Sequence, residues 1–306
     1  MLVEIMGAEL HLDEKYLFTL AKSASHRYKT YQVPKRSGGS RTIHHPAKEL
    51  KAVQRWLLKR IISLLPVHEA ATAYREGRNI LHNAQVHANS AFVLRIDFRD
   101  FFPSLTANDL AKHLERNRGL LEEWEPADTE IFCKFVCLDG CLTIGAVTSP
   151  ALSNTLCYFL DSAILQYCQP RGVRFTRYAD DLCFSTSEPR VLKEVEKKTA
   201  VILKEIEYPS RLVINEKKTC HFSRKRRRVV TGLVLTPDGR VTIGRDLKRK
   251  LRTMIYCYEK LGPGERKYLS GMLGHCKAIE PDFINSLIHK FDLDTVQRAR
   301  ANREKA

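Results

Sequence analysis

The chain has 306 residues, 43% hydrophobic and 28% charged, and 51 Lys and Arg against 35 Asp and Glu give it a net charge of +16. That apolar content, spread along the whole length, excludes a disordered chain and suffices for a substantial core. The basic excess is either a solvated surface or the mark of a polyanionic partner, of which nucleic acid is the commonest.

Glu4, Glu9, Asp13 and Glu14 interrupt the N-terminal stretch, and no apolar run reaches membrane-spanning length. Neither a secretory signal nor a membrane partner is expected, and a cytoplasmic location is. The nine cysteines form no Cys-x-x-Cys pair. Cys133, Cys137 and Cys141 are spaced four apart, on one helix face or where a helix runs into a strand. Reduced, buried thiols are expected there, with metal binding the alternative.

In chain order, Leu10 to Tyr28 carries Leu12, Tyr16, Leu17 and Leu20 at helical spacing. Val33 to Ile43 has a Ser-Gly-Gly-Ser centre between strand-like flanks and reads as a basic hairpin. Lys35, Arg36 and Arg41 on it are candidate phosphate contacts; an ordinary exposed turn is the alternative. Leu50 to Leu65 predicts an amphipathic helix, with Leu50, Val53, Leu57, Ile61 and Leu64 as its stripe, ended by Pro66. Strands and helices then alternate irregularly without repeats or linkers, as in an α+β protein.

Phe92 to Asp97 is a short buried-strand pattern ending in a carboxylate, with a turn after it at Pro103-Ser104. Asp97 either caps the next helix or is held rigidly for a metal. Thr148 to Asn154 opens a helix, with Ser149 as N-cap and Pro150 at its first position. That helix carries Leu152, Leu156, Phe159, Leu160 and Ile164 inward. Another helix is expected from Pro189 to Ile206.

Between two strand-like runs lies Tyr178-Ala179-Asp180-Asp181. Adjacent carboxylates at a hairpin tip repel, where Asn-Gly or Asp-Gly would turn more cheaply. A hard divalent cation relieves that repulsion, because it takes carboxylate oxygens and leaves positions for substrate phosphates.

Arg224 to Arg228 is an unbroken basic run, a solvated loop or a nucleic-acid contact. Val229 to Leu235 reads as one strand, Thr236 to Arg240 as a turn, and Val241 to Ile243 as a second strand. Asp246 to Leu261 predicts a helix with Leu247, Leu251, Met254, Tyr258 and Leu261 on one face. Lys248, Arg249 and Arg252 lie off that face, where a duplex backbone or only solvent meets them.

Taken together, these blocks resemble a reverse transcriptase from about Tyr28 to Leu273. Asp97 resembles the first catalytic motif, Thr148 to Asn154 the segment near template and nucleotide, and Tyr178 to Asp181 the Tyr-x-Asp-Asp signature. Val33 to Ile43 resembles the fingers and Val229 to Leu235 the primer grip. Asn83-Ala84-Gln85-Val86-His87 and Val230-Thr231-Gly232 resemble the Asn-Ala-x-x-His and Val-Thr-Gly elements of bacterial retron enzymes. Either element is alternatively structural: Asn83 and His87 stand at i, i+4, and Gly232 relieves backbone crowding. One departure is Thr143 to Val147, where Ile144 and Val147 replace the Gln and second Pro of Pro-Gln-Gly-x-Pro.

The resemblance implies a right-hand polymerase. Residues 1–90 are expected to form an N-terminal helix and fingers, 91–107 and 146–235 the palm, 108–145 an insertion, and 236–306 a small helical thumb. It implies two Mg²⁺ ions held by Asp97, Asp180, Asp181 and the Phe98 backbone carbonyl. Phe102, five residues beyond Asp97, is implied as a sugar gate, or is simply a core ring. Lys35 and Arg41 would meet the deoxynucleoside triphosphate. Asn83, His87, Arg226, Arg227, Arg228, Val230, Thr231, Gly232, Lys248, Arg249 and Arg252 would meet RNA.

The retron resemblance further implies a cognate structured non-coding RNA as template and primer, with synthesis from a guanosine 2′-hydroxyl. The product is branched multicopy single-stranded DNA (msDNA), made beside an effector protein in antiphage defence. The rivals are a group II intron-like or other mobile-element enzyme, for whose extra segments the roughly thirty residues after Gly274 are too few, and a non-catalytic RNA scaffold for an effector.

Overall fold

A computed structural model describes residues 1–35 and 38–301. Arg36 and Ser37 of the basic hairpin lie outside the described residues.

Helix α2 (Glu14–Lys22) occupies the middle of the stretch expected as helix from Leu10 to Tyr28, and a separate helix, α1 (Leu2–Leu10), precedes it. His11 turns left-handed (φ 54°), and the Asp13 carboxylate accepts from the Lys15 and Tyr16 N–H groups, so a new helix begins there. Strands β1 (Tyr28–Pro34) and β2 (Ser40–Pro46) form the expected hairpin. Its turn includes Gly38 and Gly39, both at positive φ. Helix α3 (Lys48–Arg60) buries Leu50, Val53 and Leu57, then tightens into a 3₁₀ turn at Ile62–Leu64. That change of pitch leaves Leu64 exposed instead of on the apolar stripe.

Helix α4 (Ile80–His87) is capped by Asn79 and precedes β3 (Phe92–Arg99). Four helices come next: α5 (Ala107–Arg116), α6 (Pro126–Val136), α7 (Ser149–Leu156) and α8 (Tyr158–Cys168). The single helix expected through Ile164 breaks at Cys157. Its N-cap is Thr148, while the Ser149 hydroxyl accepts from the Thr143 N–H at 3.2 Å.

Then come β4 (Arg174–Tyr178), β5 (Asp181–Thr186), α9 (Val191–Glu205), β6 (Val213–Ile214) and β7 (Cys220–Ser223). Strand β3 lies central in a five-stranded antiparallel sheet ordered β4-β5-β3-β6, with β7 also paired to β3. The run expected as one strand from Val229 to Leu235 is a hairpin, β8 (Arg228–Val230) and β9 (Leu233–Leu235). Thr231 (φ 46°) and Gly232 (φ 84°) form its turn, both central residues at positive φ as a tight hairpin favours. Strand β10 (Val241–Thr242) completes this small sheet, and α10 (Arg245–Tyr256), α11 (Pro263–Ile279), α12 (Pro281–Phe291) and α13 (Leu293–Ala301) pack together after it.

Alternation along β3 explains the layering. Leu94, Ile96 and Phe98 enter a core shared with α1–α3 and α5–α9, whereas Val93 enters a second core with α4, the small sheet and α10–α13. The central sheet therefore has apolar cover on both faces, and its loop ends carry the polar chemistry. Among the described residues no helix is long and apolar enough to cross a membrane. All nine cysteines are free thiols. Burial pushes Cys133 up to about 12 and Cys137 well above its ordinary value, so both stay protonated.

Candidate active site

The hairpin β4–β5 closes with only Ala179 and Asp180 between the paired Tyr178 and Asp181. Ala179 takes φ 56°, a left-handed conformation that costs a non-glycine residue roughly 1 kcal/mol or more. Asp181 lies directly across from Asp97 on β3, and the Phe98 N–H donates to the Asp180 carbonyl at 3.2 Å. Three carboxylates from two adjacent strands are thus drawn to one end of the sheet.

Their electrostatics are strained. Burial, then the neighbouring Asp97, raises Asp180 above the ordinary aspartate range. Burial and Asp180 push Asp181 up to about 6, partly offset by Arg95, whose Nε lies 4.0 Å from a carboxylate oxygen. Asp97 is almost fully buried, and both its oxygens accept from Lys218 Nζ, at 2.8 and 3.0 Å. Asn215 donates its side-chain amide to the same carboxylate at 3.2 Å and its N–H to the Asp97 carbonyl at 2.7 Å. Among the described residues the carboxylates do not close into a ready three-ligand cage. They do form a cluster of hard oxygen donors short of positive charge, which fits a divalent cation.

Sequence reasoning missed Lys218, Asn215 and Arg95. Strand β6, which delivers Asn215 and Lys218, has two residues, too few to show a period. The only trace was polar Asn215 directly after apolar Val213-Ile214.

Asp180 and Lys218 open onto a cleft of about 590 Å³ whose walls include Lys35, Arg41, Tyr74, Phe98, Phe102 and Ile144. The predicted nucleotide residues therefore gather in one cavity. Phe102 stands at the wall with its ring set edgewise against buried Phe101, centroids 5.4 Å apart. The Ile144 segment is fixed by its backbone: the His44 N–H donates to the Ile144 carbonyl at 2.8 Å. Gly145 (φ 111°) lies so close to the same strand that a Cβ would come within 2.6 Å of the His44 carbonyl oxygen.

The expected RNA contacts divide. Asn83 and His87 are buried, which corrects their assignment as direct contacts. Asn83 Oδ1 accepts from the Thr72 hydroxyl at 2.9 Å. His87 bridges the hydroxyls of Ser185 (2.7 Å) and Thr176 (2.8 Å), and burial lowers it to about 3, so the ring is neutral. Both brace the β4–β5 hairpin, Asn83 through Thr72 and His87 directly. Arg228 is also buried, donating to the carbonyls of Ser90 and Thr236, and Val230 belongs to the second core. Lys248 is half-buried against Glu280, and Arg252 stacks on Phe283 at 5.2 Å. Apart from these, Arg226, Arg227, Gly232 and Arg249 are exposed, and Thr231 anchors its hairpin to the Ile80 carbonyl at 3.2 Å. A second cleft of about 1080 Å³, between α4, the small sheet and the last helices, is lined by Arg224, Arg226, Arg227, Arg240, Arg245 and Lys248.

Residues 33–235 match the reverse transcriptase (RNA-dependent DNA polymerase) family. Over 284 residues the chain is 33% identical to the Retron Ec83 reverse transcriptase of Escherichia coli, covering 90% of each. This chain belongs to the retron reverse transcriptases. It is likewise 32% identical to the Escherichia coli Retron Ec86 reverse transcriptase, over 96% of this chain and 92% of that one. It is 34% identical to the Myxococcus xanthus Retron Mx162 reverse transcriptase, over 85% of this chain and 59% of that one. RNA-directed DNA polymerisation is the activity of the family. Among solved structures, telomerase from Candida albicans in complex with a fragment of telomeric RNA superposes with a TM-score of 0.55 at 13% identity. That match covers 97% of the retron enzyme and 60% of the telomerase chain, and it supports the right-hand polymerase fold alone.

Proposed function

We propose that this retron reverse transcriptase copies a cognate structured RNA into branched msDNA, self-primed from a guanosine 2′-hydroxyl. On this reading it acts in the cytoplasm, beside an effector protein in antiphage defence. The observation that carries the catalytic part is the convergence of Asp97, Asp180 and Asp181 at the end of one sheet, with Asp180 on the floor of a cleft walled by Lys35, Arg41 and Lys218.

Asp97, Asp180 and Asp181, with the Phe98 carbonyl, are the proposed holders of Mg²⁺. Two bound ions would lower the pKa of the attacking hydroxyl and neutralise the leaving pyrophosphate. The chain's own groups supply position and charge. Lys218 pairs with Asp97 while lining the cleft, and Lys35 and Arg41, which line the same cleft, favour a triphosphate. Phe102 is the proposed sugar gate: Phe102→Ala should raise ribonucleotide incorporation, measured by alkali-sensitive product. Unchanged discrimination would return Phe102 to a packing role.

The proposed domain division keeps the fingers at 1–90, the palm at 91–107 and 146–235 around the insertion at 108–145, and the thumb at 236–306. Exposed Arg226, Arg227 and Arg249 are the proposed phosphate contacts, with sequence-independent, salt-sensitive binding.

The test is co-expression with the upstream intergenic region, then a denaturing gel with and without RNase and debranching enzyme. A discrete single-stranded DNA, shortened by debranching and absent with Asp180→Asn, is expected. Ordinary primer extension without that species would leave the polymerase and remove branched-DNA synthesis.

A further inference from the structure

The geometry points to Arg177, with Asp161 and Asn154, as the positioning group that holds the catalytic turn in its left-handed conformation. Arg177 precedes the Tyr-Ala-Asp-Asp turn and is fully buried, as are Asp161 and, nearly so, Asn154. Its guanidinium clasps Asp161 through Nε (2.8 and 3.1 Å) and Nη2 (2.7 Å). The remaining nitrogen, Nη1, donates to Asn154 Oδ1 and to the Ala179 carbonyl, each at 3.2 Å.

That last contact falls on the strained residue. A turn with two central residues has two central carbonyls to place. Phe98 N–H holds the Asp180 carbonyl, and Arg177 holds the Ala179 carbonyl. Fixing the Ala179–Asp180 peptide fixes the direction in which the Asp180 side chain leaves the backbone. Strained backbone persists only where its surroundings over-determine it, and here the guanidinium does so.

The same network reaches the cleft wall. Asn154 Nδ2 donates to the Ala73 carbonyl at 2.8 Å, one residue before Tyr74, which lines the cleft. The Arg177 backbone is paired on both sides with this segment, its N–H to the Ala70 carbonyl at 2.7 Å and its carbonyl to the Thr72 N–H at 2.8 Å. Arg177 and Asn154 together therefore tie the aspartate turn to the segment that leads into Tyr74 at the cleft wall.

Stability alone does not account for the pair. Two charges taken out of water are commonly replaceable by apolar side chains of similar volume without loss of stability. An apolar pair cannot donate to the Ala179 carbonyl or to Asn154. The inference rests on Asp180 as a metal-holding residue, and the experiment separates the two.

Arg177→Met combined with Asp161→Leu in the full chain is assayed for primer extension on RNA and for Mn²⁺ binding by electron paramagnetic resonance. The parent and Asp180→Asn are run alongside. The expected result is a double variant with near-parental Tm, kcat lower by about 100-fold, the loss that about 1 Å of misplacement produces, and dNTP KM within about threefold. Mn²⁺ affinity should fall with it. A folded double variant with parental kcat and Mn²⁺ binding would overturn the proposal. If the apolar pair fails to fold, Arg177→Lys decides: it keeps the charge beside Asp161 but cannot fork to the Ala179 carbonyl. The same kcat loss supports positioning, and parental kcat refutes it. Normal extension by Asp180→Asn would instead overturn the assignment beneath the proposal.

Discussion

The cleft at the aspartates and the cleft beside α10 are built on opposite plans. At the aspartate end the carboxylates are buried or half-buried, and three of the charged groups have fixed neighbours: Asp97 has Lys218 and Asn215, Asp181 has Arg95, and Arg177 has Asp161. In the cleft beside α10 most of the arginines stand in solvent, and their ion pairs, Arg227 with Asp246 and Arg240 with Asp238, are exposed ones. Exposed pairs contribute about 0–1 kcal/mol and are readily exchanged for a phosphate. Chemistry demands orientation before the substrate arrives, whereas holding a polyanion demands available charge. The first region should therefore fail on small geometric changes, and the second only on loss of charge.

The largest expected effect breaks the comparison at its catalytic side. Asp180→Asn is nearly isosteric, so it should abolish synthesis while leaving RNA affinity within about threefold, because the phosphate-binding charges are untouched. Filter binding and primer extension on the same preparation read both. Normal polymerisation by this variant would reject the site.

An intermediate effect belongs to the other side. Arg226→Ala with Arg227→Ala should weaken RNA binding and reduce the slope of log affinity against log salt by about 2. At saturating RNA, kcat should stay within about twofold. An unchanged slope would take these two residues off the RNA path.

The smallest effect sharpens the electrostatic contrast. Between the ordinary aspartate value, about 3.9, and about 6, the folded chain binds more protons at Asp181 than the unfolded chain does. Stability from this group therefore falls as pH rises through that window, and at neutral pH the ionised site opposes folding. A divalent cation offsets that cost, so added Mg²⁺ should raise Tm by more at about pH 7.5 than at about pH 5. Equal shifts at the two values would show that the cation acts elsewhere.

Features written locally in the chain were legible before folding was considered. The hairpin at Val33 to Ile43, the strand ending in Asp97 and the carboxylates of the Tyr178 turn were legible because alternation, turn residues and adjacent charges act within a few positions. The basic excess needed only counting. Boundaries failed where one residue decides, as at Asp13 capping a second helix or at Thr231-Gly232 folding an apparent strand back on itself.

Burial was the deeper gap. Asn83 and His87 share a helix face, as their spacing said, but only packing against β4 and β5 turned that face inward. Lys218 meets Asp97 across 121 positions, and Arg177 on β4 becomes a brace only because α8 brings Asp161 and α7 brings Asn154. Local propensity acts through neighbours in the chain. The partners of a buried charge are set by which elements the core brings together, so the tertiary structure alone decided them.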